Sequence, residues 1–170
     1  YAGLADADRM ATHMPSLDLY HPWPIEANEA SRIAIEIESV ARGHDPRITN
    51  SDGADVNCFE GCHVYGNTHG FVGEYAGTRH STSCAVIAES GEEMQRDDWY
   101  TVARNARDLD SADSVGRRAA ERAVSRLGAR RLSTRTVPVI FSADTAKRLF
   151  TNFLSAISGA NLYRKASFLV

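Results

Sequence analysis

Apolar residues recur along this chain in two rhythms, one of period near 3.6 and one of short alternating runs. Between Glu26 and Arg42, Ala30, Ile33, Ala34, Ile37 and Ala41 fall on one face of a helix. That stripe, with Glu26 and Glu29 in the first turn, predicts an amphipathic helix over 26–42. Gly43 then reads as the residue that ends it, and Pro46 as a block to its resumption. Ahead of it, residues 1–24 carry MPSLDLYHPWP, whose prolines and aromatics predict an extended strap laid on a core. A second helical stripe spans about Ser111 to Leu127. There Ala112, Val115, Ala119 and Ala123 form a seam of small residues, Gly116 and Ala120 flank it, and Gly128 closes the end. Small residues on a seam predict close packing on a neighbour.

The stretch from Arg47 to Arg104 changes rhythm. Turn signals recur at Asn50-Ser51-Asp52-Gly53, at Gly66 to Gly70, and at Ser90-Gly91-Glu92, and runs such as CHVYG, FVGEYAGTRH and CAVIAE lie between them. This predicts an antiparallel meander of four or five strands. Gly73, Ala76 and Gly77 interrupt the alternation and predict bulges or close backbone approach. Beyond the second helix, Thr136 to Phe141 reads as a strand. Asp144 to Ile157 reads as a third helix with Leu149, Phe150, Phe153, Leu154 and Ile157 on its buried side, and the final SFLV looks strand-like. The fold class expected is therefore α+β: an antiparallel meander with packed helices, then the start of a second, α/β-type domain. The domain division expected is 1–108 (strap, helix, meander) and 109–170.

Composition changes this picture little. A chain of 170 residues, 43% hydrophobic and 24% charged, is ordinary for a folded domain and argues against disorder. Its net charge of −3 gives no general reason to expect nucleic acid or an acidic membrane. No apolar run approaches the ~20 residues of a membrane helix, and the N-terminus has no secretory signal pattern. Three cysteines make no disulfide framework, so a cytoplasmic setting is expected. The absence of an initial Met predicts a piece of a longer protein.

Several clusters invite chemistry. Cys58, Cys62 and His63, with His69, His80 and Cys84 nearby, suggest a metal, but zinc ligands usually come in tight knuckle pairs. On a strand Cys58 and Cys62 would share a face roughly 13 Å apart, and His63 would point to the other face. Buried small thiols and turn or edge histidines are the expected reading, with no metal in this chain. Thiol catalysis fails on the same spacing. Between Arg104 and Arg135 nine arginines stand against four acidic residues. A phosphate-binding surface is one reading, and a solvated helix face opposite the small-residue seam is the preferred one. There is no G-x-S-x-G, P-loop or G-x-G-x-x-G.

Taken in order, LDLYHP, RITNSDGADVN, VYGNTHGF with YAGTRHS, VIAESGEEMQRDDWYTVAR, DSVGRRAAERAVSRLGARRLST, PVIF and SGANLYRKASFL are similar to one family nearly end to end. The chain resembles the TldD/PmbA family, also called modulators of DNA gyrase, and within it the PmbA (TldE) branch. The resemblance implies the middle of a longer cytoplasmic protein. It also implies a two-subunit metallopeptidase that degrades unfolded polypeptides and matures small peptides. In the TldD branch the helix after the PVIF strand carries His-Glu-x-x-x-His, two zinc ligands and a general base. The matching positions here are Thr151, Asn152 and Ala156, and neither His nor carboxylate occurs from Leu149 to Lys165. The resemblance therefore implies a non-catalytic subunit, with zinc in a TldD-type partner, peptide or unfolded polypeptide as substrate, and no membrane or direct nucleic-acid contact. The alternative is a module that contacts gyrase or DNA through the Arg104–Arg135 surface.

Overall fold

A computed structural model of the chain describes residues 3–170, the side chain of Ala7 excepted. The first two residues of the expected strap lie outside that range. The order of elements is α1 (Ala27–His44), β1 (Ile48–Gly66), β2 (Val72–Ser90), β3 (Glu93–Ala103), α2 (Ala112–Ser125), α3 (Ala143–Ala156) and α4 (Gly159–Tyr163). The strands make one antiparallel sheet in the order β1-β2-β3, so the fold is α+β. Two compact units form, one running through Ala129 and the other spanning Arg130–Val170.

In the first unit α1 and α2 cover one face of the sheet. Ile37 and Ala41 of α1, Val115, Ala119, Ala120 and Ala123 of α2, and Cys84, Val86 and Ala88 of β2 are buried together. The small-residue seam of α2 works as expected. A Cβ on Gly116 would overlap the Ile37 carbonyl and come within 3.0 Å of Ala41 N and Val40 Cβ, so the two helices touch backbone to backbone there. Ser111 caps α2 by accepting from the Ser114 N–H at 3.2 Å. Beyond the helix Gly128, at φ +75°, gives its N–H to the Glu93 carboxylate at 2.8 Å.

Several expectations need correction. Gly43 lies inside α1, which runs to His44 with Asp45 after it. The meander has three strands, not four or five, because Asn50–Gly53 is not a turn. The β1–β2 register shifts between Ile48 and Asn50 and again between Ser51 and Gly53, with Gly53 at φ +106°. Glycine and Asx signals there make a bulge inside one strand of 19 residues. The other two signals are true turns: Gly70 (φ +84°) and Gly91 (φ +62°) supply the left-handed backbone.

The boundary expected between residues 108 and 109 falls inside the first unit. Helix α2 buries its seam against α1 and the sheet, and the division comes at Ala129.

In the second unit Thr136–Phe141 forms no strand, and neither does SFLV. Their apolar side chains stand open, Ile140 at 97% exposure. Without a neighbouring strand to complete the ladder, a β-branched or apolar run alone makes no β-structure. Helix α3 forms close to its expected bounds. Its apolar face, Leu149, Phe150, Phe153, Leu154 and Ile157, is exposed rather than buried.

Candidate functional site

Strand length positions the candidate site. β3 pairs with β2 only from Ser90 to His80, whereas β1 stays paired with β2 as far as Val72. Beyond His80 the sheet therefore continues as a two-stranded ribbon, with Phe59, Val64, Tyr65, Val72 and Tyr75 exposed on it. Its tip is fixed by Asn67, whose side-chain oxygen accepts the N–H groups of His69 and Phe71 at 3.0 and 3.3 Å.

The lead-in strap crosses the edge of β2 where β3 leaves off. The N–H of Thr78 donates to the Leu19 carbonyl at 2.9 Å. The Thr78 hydroxyl accepts from the His21 N–H at 3.0 Å and donates to the Arg104 carbonyl at 2.8 Å. An Arg104 guanidinium N–H returns to the Thr78 carbonyl at 3.1 Å. Thr78 thus joins the strap, β2 and the end of β3. Past this crossing the strap continues on the helix-covered face, where fully buried His80 bonds through Nε2 to the His21 carbonyl at 2.9 Å. The Trp23 ring stands edge-on to His80, with centroids 5.6 Å apart.

Before the crossing the strap lies over the opposite face, across Gly77 and Gly73. A Cβ on Gly73 would sit 2.9 Å from the Met14 side chain, and one on Gly77 would sit 3.7 Å from the Leu19 carbonyl oxygen. Gly73 is therefore a point of close approach, to the Met14 side chain rather than to backbone, while a Cβ at Gly77 would meet only ordinary contacts. Between strap and ribbon runs a cleft of about 440 Å³, lined by Met14, Leu17 and Asp18 on one side and by Glu74, Tyr75 and Ala76 on the other. A neighbouring hollow of about 400 Å³ adds His63, stacked on Tyr75 at 5.0 Å, with Tyr65 and Phe71. Tyr20 reaches back to β1 and donates its hydroxyl to Glu60 at 3.1 Å, which pushes its own pKa up.

The cysteines do not converge. Cys58 lies opposite His80, Cys62 opposite Ala76, and Cys84 opposite Trp99 on separate rungs. Cys58 and Cys62 are exposed, contrary to the buried role expected of them, and only Cys84 is core. Burial, with Glu38 and Asp55 adding, pushes the Cys84 thiol up to about 11, and burial followed by Glu60 raises Cys58 as well. Neither is poised as a thiolate. Among the described residues no group of three His, Cys, Asp or Glu donors gathers where a metal could sit.

The arginines of α2 are largely engaged. Arg117 lies 3.7 Å from Asp113 and 3.6 Å from Glu121, and Arg118 lies 3.5 Å from Asp110. Arg122 and Arg126 reach the half-buried Asp97 of β3 at 3.4 and 3.2 Å. Arg118 and Arg122 also stack over Trp99 at 5.2 and 5.4 Å. This clamp fastens α2 to β3, and sequence spacing had no means of showing it.

Zinc is implied by the resemblance, and α3 does not fit it. The Thr151 hydroxyl donates to the Lys147 carbonyl of its own helix at 3.2 Å, Asn152 offers an amide, and Ala156 offers only a buried methyl.

A family profile described as the PmbA/TldA metallopeptidase central domain matches residues 20–127. The chain is 45% identical over 168 residues to the metalloprotease PmbA homolog of Haemophilus influenzae, covering 99% of this chain and 37% of that protein. It is 43% identical over 169 residues to metalloprotease PmbA of Escherichia coli O157:H7, covering 99% and 38%. A crystal structure of a proposed DNA gyrase modulator from Bacteroides thetaiotaomicron superposes with a TM-score of 0.88 at 26% identity, over 98% of this chain and 38% of that one. One from Thermotoga maritima shares the fold at a TM-score of 0.65 and 21% identity, over 72% and 28%. The chain thus spans 37–38% of the length of these two curated relatives.

Proposed function

The chain belongs to the PmbA/TldD metallopeptidase family, and we propose that it serves as the PmbA/TldE-type, non-catalytic subunit of a zinc metallopeptidase complex. One observation carries this reading. The positions that the resemblance pairs with the family's two ligands and base are Thr151, Asn152 and Ala156, and the helix bearing them is formed. A helix retained without histidine or carboxylate at those positions suits a partner of the enzyme better than the enzyme. In this reading a TldD-type subunit brings the zinc and the base, the setting is cytoplasmic, and the substrates are unfolded polypeptides or small precursor peptides. The cleft between strap and ribbon supports a peptide-handling role, since it offers open strand edge and aromatic side chains together.

The Arg104–Arg135 surface is not part of the proposal as a nucleic-acid site. Of its arginines, Arg117, Arg118, Arg122 and Arg126 each have an acidic partner in the same unit. A surface that neutralises phosphates needs cations that are free to do so.

The test uses the full-length protein, alone and co-purified with a TldD-type subunit, on unfolded casein with metal analysis. Chelator-sensitive hydrolysis is expected only from the pair, with zinc in the partner, and Thr151→Ala should leave it unchanged. Robust chelator-sensitive hydrolysis by the isolated chain would overturn the reading.

A further inference from the structure

The ribbon has a second property, set by the parity of its hydrogen bonds. In a β-strand the N–H and C=O of one residue point to the same side, and the next residue points both to the other. The Thr78 N–H points away from β1, toward Leu19. The β1–β2 register runs without a shift from the Gly53–Ala85 pair to the Gly66–Val72 pair. Val72, Glu74 and Ala76 therefore also present their N–H and C=O groups away from β1. The turn agrees, because the carbonyl of odd-numbered Phe71 faces β1's end and accepts from Asn67 at 3.0 Å. β3 never reaches this segment, and its last pair with β2 is Ala103 with His80. Among the described residues no hydrogen bond reaches Glu74 or Ala76 from that side. Both residues are exposed, and the cleft opens against them.

We propose that the β2 edge from Val72 to Ala76 binds an extended, neutral-to-basic peptide segment as an added strand, seated between that edge and the Met14–Leu19 arm of the strap. The occupant follows from chemistry at the edge. Open rungs spaced two residues apart match the main chain of an extended segment, independent of its side chains. Leu19 already shows the mode, since its carbonyl takes the next rung at Thr78. Asp18 and Glu74 line the cleft and disfavour acidic segments, while Met14, Leu17 and Tyr75 flank the line an apolar side chain would follow. The cleft volume lies within the ~300–1,000 Å³ usual for specific sites. This inference rests on the peptide-handling reading above.

The probe is a fluorescein-labelled, proline-free twelve-residue peptide carrying two lysines, titrated against the full-length protein. The same peptide N-methylated at alternate central residues should keep its binding, because one of its edges remains able to pair. Methylation at consecutive central residues removes both edges and should weaken binding by about tenfold or more. Equal binding of all three peptides, or no binding, would overturn the edge site. On the protein, Ala76→Pro removes the outward N–H of the proposed edge, and Cys62→Pro removes one from the opposite edge of the same ribbon. Binding should fall in the first and hold in the second; the reverse order would overturn the proposal. Where neither variant folds, the methylation series decides alone. A dimer whose contact protects the Glu74 and Ala76 amides and that peptide cannot displace would give the edge to a second copy and overturn it. The hydrolysis test keeps the two readings apart. Activity of the subunit pair without methylation-sensitive binding sinks the edge site only, whereas methylation-sensitive binding by a chain that hydrolyses alone sinks the parent reading only.

Discussion

At the scale of single residues, two positions hold α2 in place by opposite means. Gly116 works by having no side chain. A methyl there meets backbone atoms of α1 that have no cheap way to yield, so the gain in helix propensity is outweighed. Gly116→Ala should destabilise the unit by about 1–3 kcal/mol, read as a fall in Tm, although Ala is the better helix former. Asp97 works by charge. Burial pushes its carboxyl up, but the Asp98 backbone N–H and the Arg126 and Arg122 guanidinium groups outweigh burial and hold it below the usual range. A carboxylate lowered by folding contributes stability that is present above its unfolded value of ~3.9 and lost as pH falls through the folded one. Thermal unfolding followed downward through pH 4 should thus show an acid-sensitive component that Asp97→Asn lacks. At pH 7 the same substitution should cost about 1–3 kcal/mol, the loss of charged hydrogen bonds to two arginines.

At the scale of elements, the strap depends on Thr78. Valine there keeps the shape, loses the hydroxyl, and leaves the His21 N–H and the Arg104 carbonyl without their partner. Thr78→Val should therefore cost about 1–3 kcal/mol and expose Met14–Trp23 to limited proteolysis, with the far-UV signature of the sheet unchanged. The sequence was a good guide to elements whose signal is local. The 3.6-residue stripes of α1 and α2 depend only on which face is apolar, and Gly73 announced close approach with no partner specified. It was a poor guide where a partner decides. Asn50–Gly53 carries turn chemistry yet bulges, because pairing with β2 on both sides of it is unbroken in direction. Thr136–Phe141 is rich in β-branched and apolar residues yet forms no strand. The α3 stripe predicted a helix correctly and its burial incorrectly, since periodicity says which face is apolar and nothing about what packs on it. The candidate cleft was legible only in part. Its glycines stood out, but the end of β3 at Ala103, which opens the β2 edge, follows from relative strand lengths that no single strand contains.

At the scale of the molecule, the division at Ala129 has an energetic basis that separates it from a cut before α2. Residues 109–129 contribute Val115, Ala119, Ala120 and Ala123 to the core, all fully buried, together with the Arg122 and Arg126 partners of Asp97. Removing them would uncover Ile37, Val86 and Ala88 and leave Asp97 half-buried without its cations, a loss of several kcal/mol against a domain stability of ~5–15 kcal/mol. In the stretch that follows Ala129, Leu132, Val137, Val139 and Ile140 are all exposed, and Arg130, Arg131 and Arg135 offer trypsin sites. Brief trypsin treatment should therefore cut within 130–135 and leave a resistant core that ends there. A chain of residues 1–129 should unfold in one cooperative thermal transition, and a chain of residues 1–108 should show none. A cooperative transition in the shorter chain would move the boundary back before α2 and remove the seam and the Asp97 clamp from the fold's essential contacts.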